Sequence, residues 1–307
     1  MKDQTFGVEV EMNNITRSKA AKVAAEFFGT NRYQDTAYRN GYSTWSAWDA
    51  KDREWKFQKD VSIQGIDEEK CELVTPILKY DDIEMFQELV RQLRHAGAKS
   101  NAQRGCGIHV HIGADGHNAK TLRNLTNLMA AHETLMMAAL NLDAGRIGTY
   151  CKPVDPQFVA QVNAKKPKTM TELADIWYTA NHATTGRDQH YNYSRYHMLN
   201  LHATFTKGTV EFRLFQFDNP GVTADGRRYY GGIHAGQLKA YIQFCLALSD
   251  TAKKKKSTRP NPVQMENPKY AMVGWLANMG LEGDEFKTLR NVFTRNLTGN
   301  AAIRYAV

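Results

Sequence analysis

The chain has 307 residues, 42% of them hydrophobic and 10% aromatic, enough for a substantial core in one large domain or two smaller ones. Its 40 Lys and Arg against 32 Asp and Glu leave a formal charge of +8, which favours anionic ligands such as nucleotides, nucleic acids or acidic polymers without choosing among them. The four cysteines form no C-x-x-C pair, which argues against a zinc ribbon and gives no evidence for a disulfide framework; no apolar run reaches about 18 residues, and the start M-K-D-Q-T is unlike a signal peptide, so the expectation is a reduced, cytoplasmic, soluble protein with no membrane partner.

The first predicted strand covers about 4–12. A helix follows at about 17–28, capped by Thr16 or Ser18 and ended by Gly29. Residues 30–53, rich in Tyr, Asn, Asp and Trp, read as loop or irregular strands. E-W-K-F-Q-K at 54–59 alternates as a strand, a turn follows near Asp60–Gly65, and the 71–76 strand stops at Pro76. Ile83, Phe86, Leu89, Val90 and Leu93 give 81–97 a helical period, and a strand at 106–113 precedes a long helix at about 119–142. In that helix Leu122, Leu125, Leu128, Met129 and Met136 form an apolar face read as core.

The stretch 143–195 is looser, with one helix candidate near 171–181. Strands are expected at about 198–206 and 209–216, joined by a Lys207-Gly208 hairpin turn. A Gly-rich basic loop at 217–233, a helix at about 234–250, a solvated lysine run at 253–256 and helices at about 263–279 and 283–296 complete the chain. The order predicts an α+β fold with an antiparallel sheet, the main domain over 1–250, and a basic linker with C-terminal helices over 251–307 packed on the same domain.

Four of the strands break the rule that a sheet face buries apolar groups. F-G-V-E-V-E, C-E-L-V-T-P, G-I-H-V-H-I and T-V-E-F-R-L-F place Glu9 with Glu11, Glu72, His109 with His111, and Glu211 with Arg213 on strand faces, because side chains two apart point the same way. Charges there need partners or a metal. Carboxylates dominate, which suits Mg²⁺ or Mn²⁺. A rival set of His109, His111 and one Glu would suit a zinc hydrolase. A third reading is a basic nucleic-acid-binding module using Tyr191, Tyr193, Tyr229 and Tyr230, which leaves the inward carboxylates unexplained.

F-G-V-E-V-E, C-E-L-V-T-P-I-L, C-G-I-H-V-H-I-G and T-V-E-F-R-L-F, in this order over about 5–250, resemble the amidoligases of the carboxylate–amine ligase superfamily. That resemblance implies a glutamine synthetase-like catalytic domain, a curved antiparallel sheet with helices on one face, whose concave face binds ATP and two or three divalent cations. It also implies an amide-forming reaction through an acyl phosphate. The metal ligands it implies are Glu9, Glu11, Glu72, His109 and Glu211, with His111 as ligand or support, and Arg213 facing the transferring phosphoryl group. The family's W-x-x-x-x-D-G-S stretch reads W-K-F-Q-K-D-V-S here, nominating Trp55, Asp60 and Ser62 as nucleotide contacts, with Val61 in place of glycine. S-R-Y-H-M-L-N-L nominates Arg195, Tyr196 and Asn200, and the loop at 217–233, longer than usual, adds Arg227 and Arg228. The partners implied are small-molecule or peptide carboxylates and amines, with a nucleic-acid substrate also open.

Overall fold

The computed structural model describes residues 1–222, 226–229 and 231–302, and of Tyr229 the backbone alone; Tyr230 and part of the 217–233 loop lie outside the described residues. The fold is mixed α and β, with eight antiparallel strands in its main ladders. The chain divides into two compact units, the first made of Thr5–Val110 and Phe215–Lys239, the second of Met1–Gln4, His111–Leu214 and the chain from Ala240 onward.

In the first unit the strands are β1 (Phe6–Met12), β2 (Tyr33–Asp35), β3 (Trp45–Trp48), β4 (Glu54–Gln58), β5 (Cys71–Val74) and the start of β6 (Ile108–Gly113), in the order β2-β3-β4-β5-β1-β6. Phe6, Val8, Val10, Trp55, Phe57, Leu73, Ile108 and Val110 are buried. Helices α1 (Arg17–Phe27) and α3 (Ile83–His95) pack together, and α1 also packs on β3 and β4; a short α2 (Ala37–Asn40) lies between β2 and β3. Thr16 caps α1 by accepting a hydrogen bond from the Lys19 amide, and the buried side of α1 is Ala20, Ala21, Ala24 and Ala25, small enough for close approach. Where the sequence reads as loop or irregular strand over 30–53, two short strands and a helical turn form. Gly221–Val222 pairs with Arg228–Tyr229 in a separate two-residue ladder.

The second unit holds the rest of β6 with β7 (Leu199–Asn200) and β8 (Thr209–Phe215), in the order β6-β8-β7. Its helices are α4 (Ala119–Leu140), α5 (Ala144–Thr149), α6 (Pro156–Lys165), α7 (Met170–Ala180), α8 (His202–Lys207), α9 (Ala235–Lys254, from Ala240), α10 (Pro268–Asn278) and α11 (Lys287–Thr294). The α4 face of Leu122, Leu125, Met129 and Met136 is core, as the sequence implies, while Leu128 is only half-buried. The C-terminal helices pack on it, with Phe244 stacked on Phe293 and Trp275 stacked on His132.

Three expectations fail in this unit. The strand expected over 198–206 is two residues long: Asn200 Oδ1 accepts the His202 amide and turns the chain into α8, and Gly208 at φ +70° ends that helix. The antiparallel pairing survives, Leu199 opposite Phe212 and Asn200 opposite Glu211, but a helix rather than a tight turn connects the strands. The looser stretch contains α5 and α6 as well as α7, with Asp143 and Asp155 accepting bonds from the first-turn amides of α5 and α6. Lys253 and Lys254 belong to α9 instead of a solvated linker, and Lys253 donates to Gln4 Oε1 and to the Asp115 carbonyl. No helix among the described residues is long and apolar enough to cross a membrane.

Candidate functional site

The ladder register builds a polar row in the first unit. On β1, β5 and β4, Glu11 stands opposite Glu72 and Gln58 stands opposite Glu72, while Glu9 stands opposite Val74. Directly opposed residues share a face, so alternation sends Glu9, Glu11, Glu72 and Gln58 one way and Val8, Val10, Leu73 and Phe57 the other. Lys56 is on the polar side by the same parity. Neither Lys56 nor Gln58 was nominated from sequence, although the same two-residue spacing along E-W-K-F-Q points to them.

Each member is held. Gln58 Nε2 donates to Glu72 Oε2 at 2.7 Å, the Gly107 amide donates to Glu11, and His109 Nδ1 lies 2.8 Å from Glu9 Oε2 and its Nε2 3.8 Å from Glu11 Oε1. Asp60 accepts both the amide and the hydroxyl of Ser62, closing the turn that follows β4. Val61, where the resembled family has glycine, is exposed and needs no left-handed backbone; the positive φ falls on Gly65 instead.

Two sets of ligand atoms come within 4.8 Å of one another here: Glu9, Glu72 and His109, and Glu11, Asp60 and Glu72. Glu72 belongs to both. Burial, and then the neighbouring charges of Glu9, Glu11 and Asp60, raise its carboxyl well above the ordinary value, against the Gln58 hydrogen bond. Carboxylates crowded at this depth, joined by one imidazole, form a donor set that fits a divalent cation.

Trp55, by contrast, is not beside these groups. Its parity puts it on the opposite, apolar face; it is fully buried between Phe28 and Phe86, and its indole N–H donates to Asp49. A nucleotide cannot reach it there, so the nomination of Trp55 is corrected to a core residue. Asp60 joins the acidic group, and Ser62 serves that residue's turn. Arg227 and Arg228 are exposed.

In the second unit Glu211 is the hub. Arg213 Nη1 donates to its Oε1 at 2.6 Å and Asn200 Nδ2 to its Oε2 at 2.6 Å, while His111 Nε2 lies 3.7 Å from Oε1. His111 Nδ1 pairs with Thr209 Oγ1 at 3.0 Å. Glu211, Arg213, Asn200 and His111 are each more than nine-tenths buried. Two guanidinium groups approach the Tyr196 ring, Arg213 at 5.8 Å and Arg195 at 5.7 Å from its centre. Arg195 also covers Tyr191 and donates to the His190 carbonyl.

No curated protein matches the chain. A family model described as "Putative amidoligase enzyme" matches residues 2–249, a span that contains the acidic row, the Glu211 cluster and every strand that carries them. The chain therefore belongs to this amidoligase family.

Proposed function

We propose that the protein is an ATP- and Mg²⁺- or Mn²⁺-dependent carboxylate–amine ligase with a glutamine synthetase-like catalytic fold. Its reaction would transfer the terminal phosphoryl group of ATP to a substrate carboxylate, giving an acyl phosphate, and an amine would then displace phosphate to leave an amide. The observation that carries this reading is the convergence of Glu9, Glu11, Asp60, Glu72 and His109 in the first unit.

Glu9, Glu72 and His109 would hold one cation, and Glu11, Asp60 and Glu72 another. These residues would hold the cations where they would supply charge neutralisation of the phosphates, easing the approach of an anionic carboxylate to phosphorus. The chain's own part is to keep these ligands oriented. Gln58 fixes Glu72, the Gly107 amide fixes Glu11, and His109 fixes Glu9, so little reorganisation remains for the reaction. In the second unit Glu211 aligns Arg213, a cation of the kind that stabilises a transferring phosphoryl group. The zinc-hydrolase reading has less support, because no candidate metal group among the described residues contains two histidines.

The test is a screen of ADP formation over panels of carboxylates and amines with Mg²⁺ or Mn²⁺. Turnover should need both substrates and the metal. ATP turnover that persists in a folded Glu9→Gln/Glu211→Gln double variant would overturn the reading.

A further inference from the structure

A cavity of about 500 Å³ opens in the first unit, lined by Asn13, Gln64, Gly65, Asn101, Gln103 and Arg104 among others. Its size falls in the range of small-molecule sites, roughly 300–1,000 Å³. It is joined to the acidic row through the chain itself. Asn13 continues β1 two residues beyond Glu11, and the 60–65 turn that carries Asp60 also carries Gln64 and Gly65.

The lining is chemically unusual. Among the described residues no acidic side chain lines the cavity; four carboxamides and one guanidinium do. Asn13 Nδ2 donates to the Gln64 carbonyl at 2.8 Å, and Asn13 Oδ1 accepts from Arg104 Nη1 at 3.2 Å, so the Asn13 amide is spent on aiming Arg104. Among the described residues that is the one hydrogen bond made by the Arg104 guanidinium, and no carboxylate of theirs pairs with it. Asn101 is 9% exposed, and its buried Oδ1 meets no hydrogen-bond donor among the described residues. Such a group costs stability unless a ligand donor or a water meets it.

The wall is rigid where it matters. The Gln64 amide donates to the Arg104 carbonyl at 3.0 Å, and Gly105 sits at φ +67°, where an added Cβ would come 2.8 Å from the Ser62 carbonyl oxygen. Only glycine allows this close approach of the 102–106 segment to the turn at 60–65.

We propose that this cavity binds the C-terminal end of a short peptide, its carboxylate on Arg104 and its amide groups on the Gln64, Asn101 and Gln103 side chains. Each carboxamide offers both a donor and an acceptor, as a peptide group does. A lone guanidinium, with no second cation, matches a carboxylate better than a phosphate. The role of this peptide as a substrate rests on the ligase reading; its binding does not.

Isothermal titration of the full chain with tri-alanine and with tri-alanine amide, without nucleotide or metal, tests the site. Tri-alanine should bind about tenfold or more tightly than the amide, since a hydrogen-bonded charge is worth that much. Inorganic phosphate should not displace it. Arg104→Gln should abolish the preference, Arg104→Lys should keep part of it, and Asn101→Leu should weaken both peptides. Equal affinity for the two peptides, no binding of either, displacement by phosphate, or an unchanged preference in folded Arg104→Gln would each overturn the proposal. The wild-type comparison decides even if a variant fails to fold. Peptide preference without ATP turnover on any substrate would instead remove the ligase reading and leave the pocket.

Discussion

Glu11 and Glu72 stand directly opposite each other across β1 and β5. Like charges in that position weaken a ladder, and here both side chains are nearly inaccessible. Glu72→Gln keeps an acceptor for the Gln58 amide while removing one charge. The variant is expected to be more stable than the parent in a chelator, and to bind Mn²⁺ at least about 100-fold more weakly. Thermal unfolding in EDTA and calorimetric Mn²⁺ titration read the two effects. A metal-free variant less stable than its parent would contradict this account of the row.

Arg213 and Glu211 make the opposite case, a buried pair whose members need each other. Removing only the cation leaves Glu211 charged and buried, so Arg213→Ala should cost about 3–5 kcal/mol in urea unfolding. Arg213→Met combined with Glu211→Gln should recover part of that loss. Arg213→Lys should fold and lower turnover by about 10²–10³.

Glu133, on α4, predicts a pH dependence unrelated to the acidic row. Its carboxyl accepts the Val154 amide at 2.6 Å, and burial pushes its pKa up from 4.5 to about 7. A raised carboxyl binds its proton more tightly in the folded state. Stability is therefore greatest below about pH 4.5 for this group, and falls as pH rises through about 7, by about 3 kcal/mol in all. Glu133→Gln preserves the acceptor and should flatten the profile, raising the unfolding midpoint at pH 8 by about 5 °C. Parallel pH profiles for the two proteins would exclude Glu133 as the cause.

Gly105→Ala should destabilise by about 1–2 kcal/mol from its left-handed backbone, before the contact with the Ser62 carbonyl is counted. Chemical denaturation measures this. A neutral substitution would mean that the 60–65 turn yields easily, and with it the placement of Asp60.

The carboxylates and imidazoles were legible because parity along a strand needs no tertiary knowledge: Glu9 and Glu11 alternate with Val8 and Val10 whatever lies beside them. Gln58 was missed because an uncharged amide on an alternating strand raises no alarm until the register sets it opposite Glu72. Trp55 was misplaced by resemblance, although its own parity, opposite to Lys56 and Gln58, marks the apolar face. The expected strand at 198–206 failed for a local reason. Leu199 through Phe205 alternates well enough, but the Asn200 side chain bonds the amide two residues on, and that bond favours a turn over a ladder. The division of the chain into two units, one of two interleaved segments and one of three, has no signature in composition or linkers.

Each unit carries two buried thiols, Cys71 and Cys106 in the first, Cys151 and Cys245 in the second. Burial pushes Cys71, Cys151 and Cys245 upward, away from the reactive thiolate. Alkylation of the native protein thus becomes a clock for local opening, and peptide mapping of the labelled sites would time the breathing of the two units separately in a single unmodified chain.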